Sequence, residues 1–415
     1  MVCRYGRLAW EMVVRSVDRL RGLVAHRALA VFMMGHFTVD MFGGLMPVLY
    51  AIMADEFDLT NADIGLIALA YTSASSLSQP LFGYLADRFG SRYFAVASMA
   101  WSAGMVGIAG LAPSYLTLIA ISALAGLGSG AYHPQGASNA AAVAGDMRRN
   151  TAMSVYTVGG TAGYSLGPVL GALIFFVFGR YGTLVVAPLG FLIAFLMLQQ
   201  LRQLGLGVRQ HHEIQRAQQG RIAWKPLLIV LSVVMLRSWV TLSVVTFIPV
   251  WFKDLGYSST FYSILATLVL GFGAVGTITG GILADRIGQR SVLAVSLICA
   301  APALILFAAF PGPLSLIFGP LFGFFVEMGL SITLVMAQRL LPGRVGVASG
   351  FILGMGFVTG GIGAPVTGAV ADDIGTGSAI MLMAILIVIA AAIAARIPRA
   401  ALQQPRPASV PEPAT

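Results

Sequence analysis

Long apolar runs bounded by charges, Pro or Gly recur along the chain at about 28–53, 63–85, 92–111, 115–140, 152–178 and 180–201. After a polar stretch at 202–225 they resume at about 226–252, 260–284, 291–310, 313–338, 344–371 and 376–398. Each run crosses roughly 30 Å of hydrocarbon when coiled as a helix, and within lipid a helix satisfies all of its own backbone groups. The pattern predicts an all-α membrane protein with twelve transmembrane helices, arranged as a six-helix bundle over 28–201, a linker over 202–225 and a second six-helix bundle over 226–398. Residues 1–27 read as a basic tail. Within it Trp10, Val13, Val14, Val17 and Val24 recur at near-helical spacing opposite Arg7, Arg15 and Asp18, the pattern of a helix lying on an anionic leaflet, with a disordered tail as the alternative. The Pro-rich segment 399–415 reads as disordered.

Composition sharpens this. Hydrophobic residues make up 58% of the 415 and charged residues 10%, against roughly 45–50% and 25% in soluble proteins, which excludes a water-soluble enzyme. The net charge of +9 raises the question of a nucleic-acid surface. However, 22 of the 25 Lys and Arg fall before the first span, after the even-numbered spans and after the last. Arg180 and Lys253 lie on the other side, and Arg237 lies inside the seventh span. The basic residues therefore sort by membrane side, which predicts cytoplasmic termini and no nucleic-acid partner. The first 27 residues have neither an apolar core nor a small-residue cleavage site, so they do not read as a signal peptide. Cys3 and Cys299 are too few and too far apart for a disulfide framework or a metal site, and no cofactor is expected.

GYLADRFGSR at 83–92 returns as GILADRIGQR at 281–290, an offset of 198 with seven of ten positions identical. Within a residue of that offset, Gly163, Gly167, Pro168 and Gly171 in span 5 align with Gly360, Ala364, Pro365 and Gly368 in span 11. Two homologous halves follow, an arrangement that places substrate sites near mid-membrane between repeats.

Gly83, Asp87, Arg88, Gly90 and Arg92, with the second copy Gly281, Asp285, Arg286, Gly288 and Arg290, resemble the loop signature of the major facilitator superfamily. The resemblance covers nearly the whole chain. GYSLGPVLGA at 163–172 is similar to the signature of the superfamily's antiporters. GHFTVDMF, SSLSQPLFGYLADRFG, YHPQGASNAAA and LRSWVTLSVVTFIPVWF are similar to the fosmidomycin-resistance group. The resemblance implies a monomeric, multi-pass transporter of a bacterial inner membrane, driven by protons and acting on a small molecule. It also implies that the loop residues secure the cytoplasmic gate; the alternative is that they only fix orientation. Span 5 would serve a moving interface or simply pack. One departure is that Ser122 stands where many relatives carry an Arg four residues before a Gly, here Gly126, so the proton-relay role of that Arg does not transfer.

The ionisable residues left at mid-membrane are Asp40 and His36 in span 1, His133 in span 4, Arg237 in span 7 and Glu327 in span 10. A charge there costs ~2.5–3.5 kcal/mol even on insertion scales, so each should face a wet cavity or a partner. In the resembled fold these four spans line the central cavity. At 1.5 Å per residue Asp40, Arg237 and Glu327 reach similar depth and could share one site. Asp40, Glu327 and His36 are the expected proton-coupling residues, and Arg237, His133 and Asp40 the expected substrate contacts. Arg237 could instead be a permanent counter-ion of Asp40 or Glu327, His36 a structural hydrogen-bonder, and His133 a cap on carbonyls freed by Pro134. Proton-coupled efflux of a drug-like or anionic compound, such as a fosmidomycin-type phosphonate, is the leading function. Import of a small organic or phosphorylated anion by proton symport is the alternative. A non-transporting sensor or scaffold is disfavoured by the absence of a sizeable predicted soluble domain.

Overall fold

The computed structural model describes residues 27–59, 61–89, 91–144, 148–203 and 222–398, and among them every regular element is helical. The expected interfacial helix before Arg27, residues 204–221 of the linker and the tail from 399 onward lie outside the described residues. The first half comprises α1 (Arg27–Phe57), α2 (Asn61–Phe89), α3 (Ser91–Ala109), α4 (Tyr115–Ala144), α5 (Arg149–Phe178) and α6 (Gly182–Gln203). A single 3-10 turn, Gly179–Tyr181, joins α5 to α6. The second half comprises α7 (Trp224–Asp254), α8 (Ser259–Ile287), α9 (Gln289–Ala309), α10 (Ser315–Glu327), α11 (Leu330–Leu340), α12 (Val345–Ile374) and α13 (Thr376–Ala394). The tenth span, expected as one helix, is divided into α10 and α11, so the thirteen α-helices among the described residues make twelve crossings.

Nine stretches among the described residues are long and apolar enough to cross a membrane by composition alone, and Arg149–Gln203, one of them, holds both α5 and α6. The remaining two crossings are α3, whose apolar part is short, and α2. The polarity of α2 has a structural cause: Ser75, Ser76 and Gln79 are buried. Part of that polar stretch lies under α12, where a Cβ on Gly350 would stand 2.4 Å from the Gln79 carbonyl and one on Gly354 2.7 Å from that of Ser76. Polar groups hidden in a protein seam need no lipid-facing apolar cover.

Two seams join the halves. α2 runs along α12, and α8 runs along α5. By the repeat, α8 is the equivalent of α2 and α12 the equivalent of α5, so one contact is made twice about a pseudo-two-fold axis. Backbone chemistry punctuates the helices in the second copy of the loop. Ser258 accepts from the Phe261 amide at 3.3 Å to open α8, and Gly288, at φ +93, closes it in a conformation that side-chain-bearing residues rarely adopt. Within the first half, α1 lies against α5 and α4 against both α2 and α3, which brings α1, α4 and α5 around one polar cluster.

Candidate functional site

Residues four apart share a helix face, so α1 presents His36 and Asp40 together. α4 brings His133 to the other side of the same carboxylate. His36 Nε2 is 3.3 Å from Asp40 Oδ2, and His133 Nε2 is 3.0 Å from Oδ1. Each ring is held from behind by a backbone carbonyl. His36 Nδ1 lies 3.0 Å from the oxygen of Tyr156, and His133 Nδ1 lies 2.8 Å from that of Ser129. The Tyr156 ring stacks on His36 at 4.4 Å and 22°, while the two imidazoles meet edge to face at 5.2 Å. Both histidines are buried, and Asp40 keeps 15% of its side chain accessible. The cluster fits only because α5 carries Gly160 here: a Cβ would stand 2.4 Å from His36 Nε2 and 2.5 Å from Asp40 Oδ2. Phe357 of α12 places its ring 6.3 Å from that of His133, so the cluster borders the opposite half. The donor atoms of His36, Asp40 and His133 all lie within 4.8 Å of one another. Each imidazole has its own nearest carboxylate oxygen, Oδ2 for His36 and Oδ1 for His133.

The second half holds a different centre. Arg237 of α7 donates through Nη1 to Glu327 Oε1 at 2.7 Å. The engagement uses one arm of the fork: Nη2 has a contact of 3.5 Å with Ser238 Oγ, and Nε has no partner. Glu327 is the last residue of α10. The helical ladder lapses at Met328 and Gly329, although both keep right-handed helical backbone, and resumes in α11. The Thr277 hydroxyl from α8 donates to the Glu327 carbonyl at 3.0 Å, satisfying one group at the break. One turn beyond each charge, Thr241 on α7 and Ser331 on α11 bury hydroxyls that have no hydrogen-bond partner.

The structure thus sorts the mid-membrane residues by half. Asp40 is bracketed by histidines, and the counter-ion of Arg237 is Glu327. One site shared directly by Asp40, Arg237 and Glu327 is not what the described contacts form.

At the end carrying the Arg-rich loops, Asp87 accepts from the amides of Gly346 and Val347, both at 2.8 Å, in the first turn of α12. Asp285 does the same at the first turn of α5. It accepts from the Asn150 amide at 3.2 Å, Asn150 Nδ2 at 2.7 Å, the Thr151 amide at 2.8 Å and Thr151 Oγ1 at 2.6 Å. Carboxylates at helix N-termini meet unpaired N–H groups and the positive end of the dipole. Gln289 extends the second contact by donating to Asn150 Oδ1 at 2.6 Å, and Arg149 crosses to Gln338 Oε1 at 2.9 Å. Gly83 permits the first seam, since a Cβ would stand 2.3 Å from the Gly346 carbonyl; Gly281 lies against Ser154 and Asn150 in the second. Arg88 donates to the Tyr84 hydroxyl at 3.2 Å, Arg290 donates to the Ala395 carbonyl at the end of α13, and Arg286 is also engaged. Gly90 and the Arg92 side chain lie outside the described residues. The span 5 residues Gly163, Gly167, Pro168 and Gly171 face α1 within their own half, against Phe37, Gly44 and Leu45.

The model of the Major Facilitator Superfamily matches residues 30–258 and 227–414. The chain belongs to this superfamily. Major Facilitator Superfamily proteins are membrane transporters, not enzymes, and the chain is accordingly a multi-pass membrane transporter. It is 32% identical over 378 residues to the uncharacterized MFS-type transporter YfnC of Bacillus subtilis (strain 168), covering 88% of this chain and 91% of that one. It is 32% identical over 366 residues to the fosmidomycin resistance protein of Escherichia coli (strain K12), covering 83% and 86%. In fold it is similar to the MFS transporter FucP in the outward conformation, with a TM-score of 0.71 at 16% identity over 91% of this chain and 99% of that one. It is likewise similar to the human organic anion transporter MFSD10, with a TM-score of 0.71 at 18% identity over 89% and 99%.

Several residues of these sites carry weak sequence signals. Tyr156 and Gly160 sit in an unremarkable small-residue run, and nothing in their spacing names His36 as their neighbour. Asn150 and Thr151 directly follow Arg148 and Arg149 at a helix start, which is a legible capping position, but their partner is 134 residues away.

Proposed function

We propose that this superfamily transporter is a proton-coupled exporter that exchanges protons for a small anionic or drug-like compound, such as a fosmidomycin-type phosphonate, by alternating access. The observation that carries the reading is the division of labour between the two centres. Asp40 is surrounded by groups able to give and take a proton near neutral pH, whereas Arg237 keeps its proton at any physiological pH. Proton handling therefore falls to the first half and anion binding to the second. The Arg237 fork has donors to spare beside Glu327, and the free hydroxyls of Thr241 and Ser331 extend the polar surface along α7 and α11. A planar guanidinium suits the oxygens of a phosphonate or carboxylate.

The gating proposal follows from the seams. The Arg-rich end is assigned to the cytoplasm by its positive charge, and there Asp87 and Asp285 tie each half to a helix N-terminus of the other. A state so tied would open outward. Each charge–dipole contact is worth about 0.3–2 kcal/mol, enough to bias one state without freezing it. In this scheme an outward-facing transporter takes up protons at Asp40, rocks inward as the ties break, releases the protons and binds substrate at Arg237. One elementary charge moved across 100 mV supplies ~2.3 kcal/mol. Identity of about one third with the fosmidomycin resistance protein over most of both chains favours export and this substrate class.

The test is transport by protein reconstituted in proteoliposomes with an imposed pH gradient and fosmidomycin as probe. Proton and phosphonate should move in opposite directions, and Asp40→Asn should abolish the exchange. Movement in the same direction would reverse the assignment to symport. Undiminished exchange in Asp40→Asn would remove Asp40 from proton coupling.

A further inference from the structure

We propose that His36, Asp40 and His133 form a two-proton site: in the conformation seen here both imidazoles are protonated on Nε2 toward one carboxylate. The argument starts from the backs of the rings. A backbone carbonyl only accepts hydrogen bonds, so the nitrogen that faces one must carry a proton. Nδ1 of His36 faces the Tyr156 carbonyl at 3.0 Å, and Nδ1 of His133 faces that of Ser129 at 2.8 Å. Both Nδ1 positions are therefore occupied, and a neutral ring would turn a bare Nε2 lone pair toward Asp40.

Those lone pairs would then meet carboxylate oxygens at 3.3 and 3.0 Å inside a buried site. Two acceptors at such distances repel, and the low dielectric of a membrane interior strengthens the repulsion. A proton on each Nε2 turns both into attractive ion-pair contacts with the carboxylate. The geometry provides two such contacts, one per oxygen, so the cluster holds two protons more than its fully deprotonated form and bears a net charge of +1. The stacked Tyr156 ring, 4.4 Å from His36, presents a π-face to that cation. The other titratable groups that feel the charge of Asp40 are the phenols of Tyr71 on α2, Tyr132 on α4, and Tyr156 and Tyr164 on α5. None of these is anionic near neutral pH. From α12 the cluster meets the uncharged ring of Phe357.

The consequence for transport rests on the proton-coupling reading above. When the cavity turns and the histidines separate from Asp40, both protons leave together, so each cycle moves two. For an uncharged substrate at 100 mV, one proton sustains a gradient of roughly 50-fold, and two sustain roughly 2,500-fold.

The chain has five histidines, and the other three are His26, His211 and His212. Replacing those three with Asn leaves only the cluster pair. The full-length protein, labelled with 15N-histidine in lipid bilayers, can then be read by solid-state NMR at pH 8, where an isolated histidine is neutral. Two imidazolium rings are expected, and Asp40→Asn should return at least one to the neutral form. One imidazolium, or none, would overturn the two-proton site. So would two that persist unchanged in Asp40→Asn. Reading the unsubstituted protein the same way, with cluster signals assigned by difference from His133→Asn, guards against a folding defect in the triple variant. Proton and fosmidomycin fluxes in proteoliposomes give the ratio separately, with two expected. If both rings are charged in the unsubstituted protein and at least one is neutral in Asp40→Asn, but Asp40→Asn still exchanges normally, the coupling reading fails and the charge assignment stands.

Discussion

Near the middle of their spans the two halves solve the problem of a buried carboxylate in opposite ways. In the first half Asp40 is met by two imidazoles at 3.0 and 3.3 Å, partners whose charge can vanish within the physiological pH range. In the second half Glu327 is met at 2.7 Å by a guanidinium, whose charge cannot. A carboxylate whose partners can lose their charge can change its own protonation without stranding a permanent ion, whereas one paired with arginine cannot. The repeat makes the contrast sharper. At the offset relating span 5 to span 11, the position of Gly160, which makes room for His36 and Asp40, carries Phe357. Duplication supplied the scaffold, and the two copies then took different chemistry.

The largest expected effect breaks the first centre and not the second. Asp40→Asn should reduce proton-coupled fosmidomycin exchange to the background of empty liposomes. Glu327→Gln should keep exchange, and because it loosens the competitor for Arg237 it should lower the apparent KM by about fivefold, the difference of ~1 kcal/mol between a charged and a neutral acceptor. Equal loss in both variants would erase the proposed contrast between the halves.

A second break acts on stability. Arg237→Met leaves Glu327 without its cation, and removing one partner of a buried ion pair costs about 3–5 kcal/mol. The thermal midpoint of the detergent-solubilised protein should therefore fall. Adding Glu327→Gln should restore most of it, since a pair removed together strands no charge, while exchange of the phosphonate should stay lost. If the double variant transports, Arg237 is structural and the anion binds elsewhere.

The same contrast marks what could be read from sequence. The repeat, the sorting of Lys and Arg and the apolar run lengths carry the twelve crossings, because hydropathy and charge act on each segment alone. Counting residues from the helix ends gave Asp40, Arg237 and Glu327 one expected level, and each does lie near the middle of its span. What a single sequence lacks is the facing partner across helices. Nothing in the neighbourhood of Arg237 distinguishes Glu327 from Asp40 as its counter-ion, and His133 could as well have turned toward freed carbonyls. The lapse after Glu327 was hidden because Met328 and Gly329 keep helical dihedrals within an apolar run. Polar α2 was still placed as a crossing, but why it tolerates Ser75, Ser76 and Gln79 becomes clear only once α12 covers part of that stretch.

Gly160→Ala probes the first centre without touching a titratable group. The added methyl would lie 2.4 Å from His36 Nε2 and 2.5 Å from Asp40 Oδ2, so the ring and carboxylate must separate. Overpacking of this kind costs about 1–3 kcal/mol. The pH dependence of exchange should change more than the affinity for fosmidomycin, which the proposed scheme assigns to the other half. A change in affinity alone would place substrate at Asp40.

The smallest effect compares the two ties at the Arg-rich end. Asp285 accepts four hydrogen bonds from Asn150 and Thr151, two from side chains, while Asp87 accepts from the backbone amides of Gly346 and Val347 and is further engaged. Converting either to Asn removes the charge that favours these bonds near a helix N-terminus, a loss of about 0.3–2 kcal/mol. Ser154 and Ser349 are fully buried on α5 and α12 near the two seams, so a cysteine at either reports opening through its labelling rate with a membrane-impermeant maleimide. With Cys3 and Cys299 replaced, labelling at 154 should rise up to about 30-fold in Asp285→Asn, and labelling at 349 should rise within the same range in Asp87→Asn. Each substitution should also raise labelling at the opposite seam, because in the proposed alternating-access scheme the halves part as bodies and loosening one tie lowers the cost of parting the other. Labelling confined to the mutated seam would mean that each carboxylate merely caps a helix and that neither takes part in a gate.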